Sequence, residues 1–596
     1  MTKHNHNHNH NHINHLITDN MDVWTSAIKR KSSSGRGSSK KIELYGIKKL
    51  RELILELAVR GKLVPQDPND EPASVLLERI AQEKAQLVKE GKIKKSKKLP
   101  GITEDEKPFE LPKGWEWSRL GLISKKLTDG SHNPAKNNGD GFPMLSGQNV
   151  NFGRIDFDNP SRYVDQINYE KEHSRTQVQE NDILLTIVGS IGRSAVVPIN
   201  APKFVLQRSV AVIDSSIFSQ FLCNQFISPI CLKYYEQYGK GTAQKGIYLG
   251  QLSLMPIIIP PLLEQHRIVA KVDELMALCD QLEAQTESSL DAHQTLVTVL
   301  LDTLVNSQNT EELTENWTRI SGHFDTLFTT EQSIDQLKQT ILQLAVMGKL
   351  VEQNPNDEPA SVLLERIAAE KADLIKQGKI KKQKPLPLIT EDEKPFGLPE
   401  GWEWIRFASM SNEVATGPFG SMIHKRDYVT DGVPLINPSH MINSEIREDL
   451  TITVNIDKAK ELRSYKLFEN DIVMARRGEM GRCALVTKRE ENWLCGTGSF
   501  VLRFNDALSR RFILLLFRTS YVCGYLGGKS IGTTMTNLNH SILNKMPLLL
   551  PPVTEQHRIV AKVDELMAIC EQLKARLSDA QTTQLKLADA LVEQAL

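Results

Sequence analysis

The sequence predicts an α+β protein in which two mixed α/β domains are separated by two long antiparallel helix pairs. These pairs form a coiled-coil spacer, and the whole is a pseudo-two-fold internal repeat. Three observations predict this fold. Long segments recur at a nearly constant offset, heptad-spaced apolar residues follow two Pro-Pro pairs, and short strand-like runs fill the segments between the recurring ones.

The internal duplication is the strongest of these observations. Residues 68–81 recur letter for letter at 355–368, and residues 264–277 recur at 555–568. This period is far longer than that of a solenoid repeat, so the chain is a tandem pair of units. The segments between the recurring ones share little, and they are residues 118–254 and 405–545. Duplication followed by drift is an alternative, but uniform drift does not leave identical flanks around unrecognisable middles. The recurring segments, called the frame, therefore surround two different segments, called the inserts.

Composition excludes several classes of protein. The chain has 596 residues, which predicts two to four domains, and its 73 Lys and Arg balance 73 Asp and Glu. Zero formal charge excludes a uniformly basic protein, although not a local DNA-binding patch. No apolar run approaches a membrane span, and the seven cysteines form no CxxC pair. We expect a reduced, cytoplasmic protein without a membrane segment, a structural zinc or a disulfide framework.

The repeat boundaries divide the chain into six segments. Residues 1–40 combine alternating His and Asn with a Ser/Gly stretch, which is typical of a purification tag or leader and a flexible linker. The predicted segments are 1–40 (leader), 41–110 (repeated helical region), 111–261 (first insert), 262–397 (central repeated helices), 398–552 (second insert) and 553–596 (C-terminal repeated helix).

The frame is predicted to be helical. Apolar residues spaced by four and three predict long helices at 263–306 and 553–595, and shorter return helices at 42–60 and 333–347. We expect the central long and return helices to pack antiparallel, and the two chain ends to pair and rebuild the same arrangement as a ring. Heptads alone are more often oligomerisation devices, but the complementary chain ends favour pairing within one molecule.

Two smaller features of the frame have structural interpretations. Gly61 and Gly348 follow the return helices and are predicted C-cap glycines. The acidic residues at 69–71 and 356–358 precede predicted helices and are interpreted as partners of the helix dipole. His266 and His557 are interpreted as interface or capping residues.

The inserts are predicted to be mixed α/β. Single helices are predicted at 217–238 and 508–525. Nine apolar runs predict strands, at 142–145, 182–188, 204–206, 210–213, 255–259, 433–436, 471–474, 500–504 and 546–550.

Polar loops between these strands supply candidate DNA-binding residues. Arg and Lys suit guanine edges in the major groove, and Asn and Gln suit adenine edges. Each such residue alone is more often an ordinary surface side chain, so their value is collective. The candidates are Lys125, Lys126, Asn133, Lys136, Gln148, Asn149, Arg193, Lys240, Gln244, Lys245, Lys425, Arg426, Asn437, His440, Arg476, Arg477, Arg482, Lys529 and Asn537.

Catalytic motifs are not found in the sequence. Gly527-Gly-Lys-Ser530 resembles the end of a phosphate loop, but Cys523 stands where the first glycine is required. The Asn-Pro-Pro-aromatic tetrapeptide of adenine methyltransferases, a dinucleotide fingerprint, HExxH and GxSxG are also missing. No catalytic residue or metal ligand is therefore predicted.

The layout resembles the specificity subunit of type I restriction–modification systems over residues 42–596. The resemblance rests on the Leu-Pro-x-Gly-Trp-Glu-Trp motifs, the Met-Pro-x-x-x-Pro-Pro motifs and the Glu-Gln-His-Arg-Ile-Val-Ala-Lys-Val-Asp-Glu-Leu helices. It implies that the inserts are target-recognition domains, each reading one half of a bipartite site in double-stranded DNA. It also implies that the repeated helices set the gap and dock two methyltransferase subunits, with restriction and translocase subunits in the full complex.

The resemblance further implies a chain that is not itself an enzyme and binds no cofactor. S-adenosylmethionine, ATP and Mg²⁺ are expected on the partner subunits. Different inserts predict an asymmetric site, and a rigid spacer predicts a fixed gap. Two alternatives stay open: a coiled-coil scaffold that pairs two protein-binding domains, and a self-sufficient methyltransferase. Salt-sensitive DNA binding would argue against the scaffold, and the methyltransferase would need to bind S-adenosylmethionine alone.

Overall fold

The chain folds into two compact units. The computed structural model describes residues 15–30, 42–95, 98–241, 245–528 and 538–596. The first unit comprises Met1–Ser289 and Asp579–Leu596, and the second comprises Leu290–Ser578. Each unit contains one insert and its own hydrophobic core.

Two long helices and two return helices dominate the frame. The first long helix is Leu262–Asn306 and the second is Val553–Ala595. The first return helix is Tyr45–Val59 and the second is Glu331–Val346. The remaining frame helices are Met21–Ser26, Ala73–Lys89, Thr310–Ser321, Phe324–Leu327 and Ala360–Lys376, with short 3₁₀ helices at Glu104–Glu106 and Glu391–Glu393.

The predicted apolar seam of the first long helix is buried. Its members are Ile268, Val272, Leu275, Cys279 and Leu282. The predicted glycine caps are also confirmed, since Gly61 and Gly348 have φ of +67° and +68° and each follows a return helix.

The two chain ends pair in the first unit, as the sequence predicted. Tyr45 Oη donates a hydrogen bond to Asp589 Oδ1 at 2.7 Å, and Lys62 Nζ donates to the carbonyl of Leu596 at 2.5 Å. The two contacts follow each other in the same order along both segments, so the first return helix runs parallel to the end of the second long helix.

The second unit contains the equivalent contact, and it corrects one prediction. Gln336 Nε2 donates to Thr298 Oγ1 at 3.0 Å, and Lys349 Nζ donates to the carbonyl of Val305 at 2.7 Å. The second return helix therefore runs parallel to the end of the first long helix, and the predicted antiparallel packing of these neighbours is wrong. The helix Thr310–Ser321 explains the difference, because it lies between them and reverses the chain once more.

The antiparallel arrangement belongs to a different pair of elements. Arg51 Nη2 donates to Asp280 Oδ1 at 2.6 Å, whereas Gln66, further along the chain, donates to Glu264 at 3.2 Å. The first return helix thus runs opposite to the start of the first long helix. Because it is parallel to the end of the second long helix, the two long-helix segments of this unit are antiparallel to each other.

The first insert is built on a four-stranded antiparallel sheet beside a smaller mixed sheet. In spatial order the large sheet comprises Ser194–Val196, Ile183–Thr186, Val210–Ser215 and Ser124–Asp129, and the small sheet comprises Val205–Leu206, Phe142–Leu145 and Arg162–Val164. Further strand pairs are Val150–Asn151 with Arg154–Ile155, Glu116–Arg119 with Pro256–Ile259, and Lys29–Arg30 with Ile42–Glu43 in the frame. Helices lie at Leu120–Ile123, Gly147–Asn149 (3₁₀), Gln166–Thr176, Ser219–Phe226, Pro229–Tyr238 and Leu249–Ser253.

The second insert repeats this topology with a different sequence and with one more strand, Tyr428–Val429, in its smaller sheet. Its large sheet comprises Ser411–Thr416, Ser499–Phe504, Ile472–Ala475 and Cys483–Leu485, and its other sheet comprises Tyr428–Val429, Thr453–Val454, Val433–Ile436 and Leu494–Cys495. Strand pairs are Met441–Ile442 with Glu445–Ile446 and Glu403–Arg406 with Pro547–Leu550. Helices lie at Phe407–Met410, Ile456–Glu461, Arg510–Phe517, Ser520–Gly528 and His540–Lys545, and 3₁₀ helices lie at Gly420–Met422, Lys425–Asp427, Pro438–His440 and Arg463–Tyr465. All nine predicted strands are confirmed.

The single insert helices predicted at 217–238 and 508–525 are each two helices. In the first insert the break is at Ser228–Pro229, because proline cannot donate the helical hydrogen bond and instead begins the next helix. In the second insert the break is at Arg518–Thr519, where the Thr519 hydroxyl accepts the backbone N–H of Val522 at 3.3 Å.

Part of the predicted leader belongs to the core, which corrects its interpretation as tag and linker alone. Leu16, Ile17 and Ala27 are buried, and Trp24 has no exposed surface. The Gly46 N–H donates to the carbonyl of Ala27 at 2.8 Å. Hydrophobic burial within 15–30 therefore covers the start of the first return helix. The His/Asn-rich residues 1–14 and the Ser/Gly stretch at 32–39 lie outside the described residues.

Each insert is joined to the frame through two neighbouring strands and a buried carboxylate. The incoming strand Glu116–Arg119 pairs with the outgoing strand Pro256–Ile259. Trp115, just before the first of these strands, donates its indole N–H to Glu264 Oε2 at 3.0 Å. Burial raises the pKa of Glu264, while the hydrogen bonds it accepts oppose that shift. Trp402 donates to Glu555 at 2.9 Å in the second unit.

A buried arginine strengthens the same junction. Arg119 donates to both carboxylate oxygens of Glu106 at 2.6 Å and to the carbonyl of Leu254 at 2.6 Å. The guanidinium lowers the pKa of Glu106 to about 2. Arg406 and Glu393 repeat the pair at 2.7 Å. One side chain thus connects the linker, the incoming strand and the start of the outgoing strand.

The acidic residues before the helices Ala73–Lys89 and Ala360–Lys376 have a different partner from the one predicted. Asp70 accepts a 2.5 Å hydrogen bond from Arg267, and Asp357 accepts one of 2.6 Å from Arg558. These ion pairs connect the segment to the start of a long helix, and neither aspartate lies in the first turn of the helix that follows it. The guanidinium of Arg558 lowers the pKa of Asp357.

Truncating Trp24 tests the structural role of the leader. We expect Trp24→Ala to lower the free energy of unfolding by about 3–5 kcal/mol, because the variant leaves a cavity against the first return helix. Urea unfolding followed by circular dichroism measures this without depending on tryptophan emission. Asp22→Ala, an exposed position on the same helix, is the matched control and is expected to change little. Equal stability of the two variants would contradict the assignment.

Candidate nucleic-acid interface

Four loops of the first insert converge at one edge of its large sheet, and together they are called the four-loop surface. Their backbones are bonded to one another. The Gly147 N–H donates to Ser209 Oγ, the Ile187 N–H donates to the Ser209 carbonyl, and the Gly189 N–H donates to the Lys245 carbonyl, each at 2.9 Å. These bonds keep the surface in a defined shape. The loops are 146–149, 187–193, 207–209 and the described parts of 240–248.

The second insert forms the same surface from unrelated residues. The Arg476 N–H donates to the Gly498 carbonyl at 2.9 Å, and the Leu538 N–H donates to the Arg476 carbonyl at 3.0 Å. The loops are 437–440, 476–482, 496–498 and the described residues that precede His540–Lys545. The two inserts therefore offer one arrangement of loops with different side chains.

Paired glycines explain why the second loop has the same course in both inserts. Gly189 and Gly192 have φ of +82° and +98°, and Gly478 and Gly481 have φ of +84° and +81°. Side chains other than glycine rarely adopt this conformation. A Cβ at Gly192 would lie 2.9 Å from the Tyr235 ring, so there is also no room for a side chain at this position. The Gly-x-x-Gly-Arg motif thus places an arginine at a fixed position in each insert.

The four-loop surfaces bring together about half of the predicted residues. In the first insert Gln148, Lys240 and Lys245 are exposed, and Arg193 is half-buried, 3.4 Å from Asn151 Oδ1. The candidates on the second surface are Asn437, His440, Arg476, Arg477 and Arg482. Gln244, Lys529 and Asn537 lie outside the described residues. The DNA contacts themselves stay predictions.

Several of these candidates have structural contacts of their own. Asn149 is 1% exposed, and its amide donates to the carbonyl of Asn159 at 2.7 Å. His440 is buried, and desolvation lowers the pKa of its imidazole. The Arg476 guanidinium lies over the Phe500 ring at 4.9 Å, and burial lowers its pKa. Arg482 donates to Glu479 at 3.1 Å. These four side chains shape the loops that present the others.

The remaining candidates lie on or after the outer strand of each large sheet. Lys125 pairs with Glu83 at 2.7 Å, and Lys126 pairs with Asp182 at 2.6 Å, so both stabilise the strand. The other four are exposed, on the loop that follows this strand in each insert, and they are Asn133, Lys136, Lys425 and Arg426. That loop borders 207–209 in the first insert, where the Arg208 N–H donates to the Ser131 carbonyl at 2.9 Å.

Arg208 is a surface residue that sequence reasoning missed. It is exposed on loop 207–209 of the four-loop surface, and its side chain has no polar partner among the described residues. Its neighbour Gln207 donates to Ser161 Oγ at 2.7 Å and is thereby fixed. The signal was present, because 207–209 is a short polar break between two apolar strands.

Metal sites and membrane-spanning helices are not found within the described ranges. Among those residues, no group of three or more His, Cys, Asp or Glu side chains is placed to hold a metal ion. Within the same ranges, no helix has both the length and the apolar character needed to cross a membrane.

Comparison with known proteins identifies the class. A family model described as type I restriction modification DNA specificity domain matches residues 112–292 and again 400–580. These matches cover both inserts and the start of the helix that follows each. The chain belongs to this family of type I restriction–modification specificity subunits, with two DNA-specificity domains.

Two relatives from Escherichia coli match along nearly the whole chain. The type I restriction enzyme EcoAI specificity subunit is 44% identical over 618 residues, which covers 98% of this chain and 100% of that protein. The EcoEI specificity subunit is 43% identical over 603 residues, with the same coverage. A crystal structure of the HsdS subunit from Thermoanaerobacter tengcongensis is a remote neighbour, with 17% identity, 82% and 98% coverage and a TM-score of 0.37.

The adjacent residues Asn149 and Gln148 test which side chains shape the loop and which are exposed on its surface. We expect Asn149→Ala to lower the free energy of unfolding by about 1–3 kcal/mol, because buried backbone groups that bond its amide lose their partner. Gln148→Ala removes an exposed side chain and is expected to stay within about 0.5 kcal/mol of wild type. Urea unfolding of both variants checks this. If Gln148→Ala were the more destabilised, the assignment would be wrong.

Proposed function

We propose that this chain is the subunit that selects DNA sequence in a type I restriction–modification complex. Each insert reads one half of a bipartite, asymmetric site in double-stranded DNA through its four-loop surface. The observation that supports this is the pairing of one loop geometry with two different sets of side chains. A shared geometry gives both inserts the same docking mode, and different side chains give them different sequences to read.

The chemistry of the exposed and half-buried residues on these surfaces fits base and phosphate contacts. The Gln148 amide and the Arg193 guanidinium have donor patterns that suit adenine and guanine edges, as do Asn437 and Arg477 in the second insert. Flexible cations such as Lys240 suit phosphates, which supply affinity without reading sequence. Direct base contacts and phosphate contacts are thus available on the same surface.

The duplicated frame supports two equivalent partner subunits. Residues 68–81 and 264–277 each occur twice without a change, so the frame presents the same surface twice. We infer that two methyltransferase subunits dock on these copies, that the long helices set the gap, and that restriction and translocase subunits join the assembly. S-adenosylmethionine, ATP and Mg²⁺ would be bound by those partners, and this chain would be non-catalytic.

Exchange of one insert tests the proposal. Co-expression with the methyltransferase partner should produce a methylated motif of two parts with a fixed gap, detected by methylome sequencing. Replacing 118–254 with the corresponding segment of a relative should change one half of the motif only. The replacement segment must keep an arginine at position 119, because the hydrogen bond of that side chain to Glu106 joins the insert to the frame. A stable complex that methylates no two-part motif would contradict the proposal and favour a protein-binding scaffold.

A second measurement separates phosphate contacts from structural cations. We expect Arg208→Ala to weaken binding of the complex to all DNA sequences alike and to reduce the slope of log K against log salt by about 1. Lys126→Ala removes the partner of Asp182 and should lower stability while leaving that slope unchanged. Fluorescence anisotropy over a salt series measures both. An unchanged slope in Arg208→Ala would remove this residue from the interface.

A further inference from the structure

An aromatic side chain projects from the tip of a hairpin beside the four-loop surface of the first insert. Val150–Asn151 pairs antiparallel with Arg154–Ile155, which leaves Phe152 and Gly153 as a two-residue turn. Gly153 has φ of +73°, so the turn is tight and depends on glycine. Phe152 is 64% exposed.

The hairpin is held firmly on the large sheet. The Gly153 N–H donates to the carbonyl of Ser194 at 2.9 Å, and Val150 is fully buried beneath the turn. Arg193 contacts Asn151 at 3.4 Å, which joins the hairpin to loop 187–193. The position of Phe152 relative to the four loops is therefore fixed by backbone bonds.

The surroundings of Phe152 are polar and cationic rather than apolar. Asn151 and Arg154 on the flanking strands are exposed, and Arg193 contacts Asn151. A docking surface for another protein would be expected to show a contiguous apolar patch. A single ring among arginines is instead typical of nucleic-acid interfaces, where the ring stacks on bases and the cations meet phosphates.

The second insert has the same hairpin without the ring. Met441–Ile442 pairs with Glu445–Ile446, and the turn is Asn443-Ser444, with φ of +51° and +65°. Both turn residues are polar and can only offer hydrogen bonds. The two inserts thus differ in the residues at the tip of this hairpin.

We propose that Phe152 inserts as a wedge between two base pairs of the half-site read by the first insert. The wedge separates the two stacked base pairs. Because the energy of unstacking is lowest at pyrimidine–purine steps, the wedge also favours particular sequences without making a hydrogen bond to a base. The half-site read by the second insert is bound without such a wedge. This inference rests on the DNA-recognition function proposed above.

Base-stacking fluorescence tests the wedge. The full chain is assembled with its methyltransferase subunits and bound to duplexes that carry 2-aminopurine at successive positions of the methylated motif. The adenines that become methylated are left unsubstituted, because methyltransferases flip their target base out of the stack. At the remaining positions we expect the fluorescence to rise several-fold at one step of the first half-site and at no step of the second. Phe152→Ala should abolish the rise and weaken binding about tenfold, whereas Phe152→Trp should retain the rise.

Ile167→Ala is the matched control, since Ile167 is a 78% exposed hydrophobic residue on the helix Gln166–Thr176 of the same insert. It is expected to behave as wild type. The inference is overturned if the wild-type complex shows no rise in the first half-site, or if Phe152→Ala keeps the wild-type rise and affinity. A normal two-part motif in those cases leaves the proposed function standing. A wild-type complex that methylates no such motif overturns both.

Discussion

The rest of the structure depends on the buried junction between insert and frame. At each junction a tryptophan indole donates a hydrogen bond to a buried glutamate at the start of a long helix. An arginine also donates hydrogen bonds to a second glutamate, which lies in the linker. A buried carboxylate is costly unless it is hydrogen-bonded, so these contacts specify one orientation of the incoming strand. The incoming and outgoing strands pair with each other there, and both connections to the frame meet at this point.

This constraint explains how one frame tolerates two unrelated inserts. Because both connections lie side by side, the sequence between them can change without moving the frame. What must persist is a sheet that ends in the same four loops. In the loops 187–193 and 476–482 that requirement falls on paired glycines at positive φ rather than on the residues between them. Side chains on the surface are then free to differ, which suits proteins that recognise different partners on one scaffold.

The roles of the polar candidates could be predicted only in part. Gln148 and Asn149 are adjacent, yet the first is exposed and the second is buried as a cap of the loop. Lys126 and Arg208 are both cations of the first insert, but the first is paired with Asp182 and the second has no side-chain partner among the described residues. Composition cannot separate such pairs, because burial and pairing are decided by strands that lie far apart in sequence.

The sequence by itself determined the duplication, the bounds of the long helices and all nine predicted strands. These are local properties, since periodicity, apolar runs and proline act over a few residues. Only the tertiary structure decided that the return helix runs parallel to the end of one long helix and that Trp24 completes a core. It also decided that Asp70 pairs with Arg267 and that Phe152 stands on a hairpin tip. Each of these depends on contacts between segments whose separation in the chain leaves no periodic trace.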